Sequence, residues 1–177
     1  IDVIESAGGR KGSGFRAPSF SITPGTEWAF DVMHEVGLTY DASLFPASRG
    51  HGGYPCADDA HLFAQVPSGR PIPELPMSVM RLLGRRVAFS GGGYMRLFPE
   101  RVIQRGFDQL HRAGRPVVVY LHPRDFAPEC PRVPMPLHRR FKCYIGLDTT
   151  RRKLQMLLGR YRFDTCAAVL RRSGCLA

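Results

Sequence analysis

The most constraining feature of this chain is a short apolar run, Pro116-Val-Val-Val-Tyr-Leu121, placed directly after an amphipathic stretch that stops at Gly114. A run this short, rich in β-branched residues and lacking alternation, reads as a strand buried on both faces, as in a parallel sheet. The stretch before it begins at Pro99 and reaches about Ala113, with Ile103, Phe107 and Leu110 recurring on one helical face. A similar unit lies earlier. Thr23 is a candidate N-cap with Pro24 at the first helical position. Trp28, Val32 and Val36 then recur every four residues, Gly37 stops the helix, and Leu38–Tyr40 follows as a strand. Helix–Gly–strand units at 24–40 and 99–121 predict an α/β fold, either a barrel or a doubly wound sheet. In both, catalytic residues sit just past the C-terminal ends of strands. That rule selects Asp41 and His122.

A third helix is expected after Asp148 or Thr149, with Leu154, Leu157, Leu158 and Tyr161 facing inward. Val87–Phe89 reads as a short strand. Phe141, Tyr144, Tyr161 and Phe163 read as packing residues, and Arg171–Ala177 as a frayed end. Between 42 and 76 lie six prolines and four glycines, so that region should be mostly loop. At 177 residues the chain is long enough for a substantial core. It has no apolar run of about 18 residues, so no membrane-spanning helix is expected. Because it begins with Ile, it reads as a fragment or a processed form.

Charge narrows the partners. There are 25 basic and 15 acidic residues, for a net charge of +10, and 22 of the basic residues are Arg. Such a balance favours polyanions in general. The Args are dispersed and no recognised nucleic-acid motif occurs, so nucleic acid is not the expected partner. The five cysteines form no CxxC and cannot all pair, which fits a reducing, cytoplasmic compartment. His51, Cys56 and His61 could ligate zinc, but without a tight pair their spacing is commonly coincidental.

Two local motifs carry chemistry. In Gly14-Phe15-Arg16-Ala17-Pro18-Ser19-Phe20, Arg16 sits in a Gly/Pro-framed loop as a fixed fork for a carboxylate. In Tyr120-Leu121-His122-Pro123, His122 is placed where a barrel positions an acid or base, and imidazole titrates near neutrality. Asp41 leaves its strand in the same way and could orient His122 or bind a metal.

The order Arg-x-Pro-x-Phe, then Tyr-Asp-x-Ser, then Leu-His-Pro resembles the polysaccharide deacetylases of the NodB-homology family. FRAPSFSI (15–22), YDASLFP (40–46), PMSVMRLLGR (76–85), GGGYMRLFP (91–99) and YLHPRDF (120–126) are similar to the branch associated with exopolysaccharide export and exosortase systems. The resemblance spans Ile1 to about Phe163. It implies a distorted (β/α) barrel and a divalent metal, usually zinc, in a hydrolase that removes acetyl groups from N-acetylated polysaccharide. By the same resemblance Arg16 holds the base Asp, and Pro18 and Phe20 wall the groove. His122 protonates the leaving amine, and Leu121 borders the acetyl methyl. Asp41 stands near the place of the Asp that orients the acid His, although the family's Asp/Trp pattern is not kept there.

The front of the family pattern is missing. No Asp-Asp pair precedes Arg16, whose only preceding acids are Asp2 and Glu5, and no two histidines are four residues apart. The expectation is therefore a partial barrel lacking its N-terminal strands. It would occupy residues 1–165 with a tail at 166–177, hold no metal ligands of its own and be inactive alone. Open sheet edges predict oligomers or aggregation, and association with the cell envelope is compatible with the resemblance. Gly91-Gly92-Gly93-Tyr94 lacks the Lys-Ser/Thr of a phosphate loop. It reads as a tight turn beside the sugar groove with Tyr94 stacking on a sugar ring, or as an ordinary turn before the Pro99 helix. The alternatives to a deacetylase are a non-catalytic sugar-binding remnant and, last, a basic nucleic-acid-binding module.

Overall fold

A computed structural model describes residues 1–47, 53–54, 63–64 and 66–176. The chain is mixed α/β and divides into two compact units, Ile1–Met77 with Asp164–Ala177, and Ser78–Phe163. Every sheet among the described residues has two strands, and none of the helices there is long and apolar enough to cross a membrane.

Unit one opens with α1 (Asp2–Gly8), followed by β1 (Gly14–Phe15), which pairs in parallel with β2 (Tyr40–Asp41). Asp41 also bridges in parallel to Glu74, so three segments run side by side. β3 (Phe63–Ala64) and β4 (Ile72–Pro73) pair antiparallel within the otherwise irregular described part of 42–76. Between β1 and β2 lies α2 (Trp28–Glu35), which starts later than Pro24. Residues 23–26 instead form a turn, with the Thr26 N–H on the Thr23 carbonyl at 2.9 Å and Gly25 at φ +96°. The expected apolar face is also wrong. Trp28, Val32 and Val36 are 59%, 43% and 47% exposed, whereas Phe30 and Met33 are buried. Those two join Ala17, Ile22, Leu38 and Leu44 in the unit's core. The tail is ordered as α7 (Cys166–Arg172), with Leu170 fully buried, and helix runs through Arg172 where fraying was expected. Thr165 caps it, its Oγ1 accepting the Ala168 N–H at 3.2 Å.

Unit two begins with a hairpin, β5 (Val79–Leu82) against β6 (Arg85–Ala88). Its two-residue turn, Leu83-Gly84, has both φ angles positive, the turn form that matches strand twist. The glycine-rich segment is not a turn: Gly92–Leu97 is helix α3. Helix α4 (Glu100–Arg112) follows Pro99 and buries Ile103, Phe107 and Leu110 as the periodicity predicts. A Cβ at its Gly106 would lie 2.5 Å from the Phe89 ring, so only glycine lets α4 approach that closely. Phe107 stacks on Tyr161, with ring centroids 4.5 Å apart.

The run 116–121 forms no continuous strand. Tyr120 makes one parallel bridge to Gly91, and within the run only Val118 is buried. The Val118 N–H goes to Ser78 Oγ rather than to a neighbouring strand, so the run is held on one side by Ser90–Gly92. Two further helices close the unit, α5 (Leu137–Tyr144) and α6 (Thr150–Arg160). In α6, Leu157 is buried as expected, but Leu158 is exposed and Lys153 takes an inward position.

Candidate functional site

The residues selected from the sequence fall in both units. Arg16, Pro18, Phe20 and Asp41 belong to unit one; Tyr94, Leu121 and His122 belong to unit two.

In unit one the motif after β1 turns sharply. Pro18–Phe20 is a single 3-10 turn in which Ser19 and Phe20 have φ of +58° and +55°. Two successive left-handed residues other than glycine store strain of about 1–2 kcal/mol each, a feature that clusters at functional sites. Pro18 is exposed, and Phe20 is buried edge-on to Phe45 at 5.4 Å. Arg16 is half-buried, and its Nε donates to the Ala42 carbonyl at 2.8 Å.

Asp41 is fully buried. Its Oδ2 accepts the Ser43 N–H at 2.9 Å and its Oδ1 the Ser43 hydroxyl at 2.6 Å. The Ser43 Oγ in turn accepts the Ala17 N–H at 2.7 Å. That closed loop is why Asp-x-Ser follows the strand: it ties β2 to the Arg16 loop. Beside it lies a residue the sequence reading missed, Glu74, also fully buried. Glu74 Oε1 accepts the Leu44 N–H at 3.1 Å, while Oε2 has no ordinary donor. Burial first, then the adjacent Asp41 charge and a hydrogen bond with it, push the Glu74 carboxyl well above its ordinary range, and Arg16 offsets this only in part. Burial beside a like charge thus favours the protonated form of Glu74. The signal was a lone acid inside the apolar, proline-rich Pro71-Ile-Pro-Glu-Leu-Pro76.

In unit two, His122 is exposed at the end of the 116–121 run, its ring edge-on to Tyr120 at 4.7 Å. Leu121 is half-buried against the core. The backbone of His122 is clamped on both sides: its N–H donates to Asp125 Oδ2 at 2.9 Å, and its carbonyl accepts the Asp125 N–H at 2.9 Å. Asp125 itself is buried, 3.1 Å from Arg96 Nε. A Cβ at Gly92 would lie 3.1 Å from the same carboxylate, which accounts for a glycine there. Arg96 also donates from Nη1 to the Cys143 and Ile145 carbonyls at 2.8 and 3.1 Å, and from Nη2 to that of Lys142 at 3.2 Å.

Lys153 caps the end of α3, donating to the Met95, Arg96 and Phe98 carbonyls at 3.0, 2.9 and 2.9 Å. Burial lowers its pKa. Arg96, Asp125 and Lys153 therefore form a rigid support under an exposed histidine, and sequence reasoning had assigned a role to none of the three. Tyr94, on α3, is partly exposed and stacked near Phe98, with ring centroids 6.4 Å apart.

Among the described residues no group of three or more His, Cys, Asp or Glu could hold a metal. His51, Cys56 and His61 lie outside the described residues.

These features define a mixed α/β protein with one buried carboxyl pair and one histidine presented on an ion-paired support. The family model described as a domain of unknown function, DUF3473, matches residues 42–171, and the chain belongs to that family. No curated protein and no solved structure matches it.

Proposed function

We propose that this chain supplies the acid-bearing part of a polysaccharide deacetylase, a hydrolase that releases acetate from N-acetylated sugars. One observation carries the reading: His122 stands exposed at the end of an extended run, with its backbone fixed by Asp125 and, behind it, Arg96. A general acid needs that combination of access and a fixed position. His122 would give its proton to the departing amine nitrogen, with Leu121 bordering the acetyl methyl and Tyr94 stacking on a sugar ring. The fold proposed is a distorted (β/α) barrel. Parallel pairing in β1–β2 and the parallel bridges Asp41–Glu74 and Gly91–Tyr120 support that architecture. The deacetylases this chain resembles use a divalent metal. The described residues do not fit one, so no step is assigned to a metal in this chain.

A second reading, sugar binding without hydrolysis, is favoured by the Tyr94–Phe98 stack, an aromatic surface of the kind that packs on sugar rings. One experiment separates the two. Acetate release from N-acetylglucosamine oligomers is measured for the protein carrying this chain, alongside oligomer binding. The deacetylase reading expects release, reduced about 10²–10⁴-fold by His122→Ala with binding retained. Binding without release, weakened by Tyr94→Ala, selects the second reading. Neither release nor binding refutes both.

A further inference from the structure

Helix α5 buries none of its eight residues. Yet Leu137, Arg140, Phe141 and Tyr144 follow the i, i+3, i+4, i+7 spacing that normally faces a core. All four line one shallow cavity of about 490 Å³, together with Arg132 and Ile145. Leu137 and Phe141 are 80% and 56% exposed, and Val133 in the preceding loop is 58% exposed. Phe141 is thus not the packing residue its sequence context suggests.

The helix is nonetheless held firmly. Arg96 and Arg124 take the carbonyls at its C-terminal end, with Arg124 Nη2 3.1 Å from the Cys143 oxygen. Tyr144 Oη accepts the Val133 N–H at 3.0 Å, and the Arg132 guanidinium lies over the Tyr144 ring at 4.3 Å. Charge completes the description. From Cys130 to Leu147 the sequence carries Arg132, Arg139, Arg140, Lys142 and His138 and no acid.

We propose that the open face of α5 docks onto an anionic lipid bilayer, with Leu137 and Phe141 entering the acyl boundary and Arg132 and Arg140 seating headgroup phosphates. Arg139 and Lys142 lie off this face and add longer-range attraction. A second copy of the chain would bring the same positive segment and be repelled. A soluble acidic polymer would engage the arginines but leave Leu137 and Phe141 in water. An anionic bilayer satisfies both the charge and the protruding apolar side chains, the pattern of interfacial helices. The inference does not depend on any deacetylase activity.

The test is cosedimentation of the full chain with vesicles of phosphatidylcholine alone and with a third phosphatidylglycerol. Binding is expected only to the anionic vesicles. Arg132→Gln with Arg140→Gln should weaken it about fivefold per charge removed. Leu137→Ser with Phe141→Ser should weaken it at least about tenfold. These side chains are exposed, so the variants should melt like the parent by circular dichroism. A Phe141→Trp variant should be quenched by brominated acyl chains in anionic vesicles. No binding, equal binding to both vesicle types, or binding indifferent to the Leu137/Phe141 change would overturn the proposal; the last outcome would leave a generic polyanion site. A change in oligomeric state on sedimentation of the Leu137/Phe141 variant, with vesicle binding intact, would assign the face to self-association instead.

Discussion

In unit two the buried carboxylate of Asp125 faces a guanidinium, 3.1 Å from Arg96 Nε. In unit one the buried carboxyl of Glu74 faces another carboxyl, that of Asp41. The first carboxylate is balanced by a counter-charge that no ordinary pH removes; in the second pair, burial beside a like charge favours the protonated form of Glu74. Arg96 is a planar fork with five donors, and here it also satisfies three backbone carbonyls. Glu74 has one backbone donor, and its burial favours the protonated form. Burying an acid without a partner is too costly to leave ionised. The two units thus solve one problem with opposite sensitivities: unit two depends on a side chain, and unit one on the solution.

Removing the counter-charge should have the largest effect. Arg96→Met leaves Asp125 buried and unpaired and strips donors from the end of α5. Breaking one partner of such a pair costs about 3–5 kcal/mol, read as a lower urea midpoint for the transition that reports on unit two. Pairing Arg96→Met with Asp125→Leu should recover part of the loss, because an apolar replacement of both partners carries no stranded charge. A single variant within about 1 kcal/mol of the parent would show that the ion pair does not organise the unit.

The proton in unit one predicts a smaller, pH-dependent effect. Glu74 has a folded pKa raised above its ordinary 4.5. Its contribution is therefore fully present below about that value and is lost as pH rises through the folded pKa. Burial sets the window first; among the charged neighbours Asp41 raises it further and Arg16 lowers it. Glu74→Gln keeps the shape and donates to Asp41 without titrating. Its stability relative to the parent should therefore rise as pH climbs above about 5 and level off once pH passes the folded pKa. Chemical melts at several pH values measure this; a flat difference would place an ionised Glu74 in the fold and undo the contrast between the units.

The same contrast appears in what could be read from the sequence. Helix α4 was legible because Ile103, Phe107 and Leu110 all face one core and the residues around them are charged. Helix α2 was not, because it carries two apolar stripes, and the more regular one, Trp28-Val32-Val36, is the outer one. Periodicity reports how apolar residues repeat, not which side of a helix the rest of the chain covers. The run 116–121 was legible as extended and apolar, but sheet membership depends on hydrogen-bond partners distant in sequence, and Ser78 takes one of its N–H groups.

The candidate site divides in the same way. His122 and Asp41 follow from their places after apolar segments. Their supports, Arg96, Asp125, Lys153 and Glu74, are charged residues whose burial no local pattern announces. Such groups become visible only when the fold shows what they pair with.

The smallest expected effect tests that lesson directly. If the four-residue spacing of Trp28, Val32 and Val36 marked the core side of α2, Trp28→Ala would empty a large site and cost about 3–5 kcal/mol. With Trp28 59% exposed and Phe30 beneath the helix instead, the cost should be no more than about 1 kcal/mol. Trp28 is the only tryptophan in the chain, so the melt must be followed by far-UV circular dichroism rather than by fluorescence. A loss in the larger range would mean that the outer stripe of α2 is covered in solution. The two units would then differ less than they do here, each holding its principal helix by the face its sequence advertises.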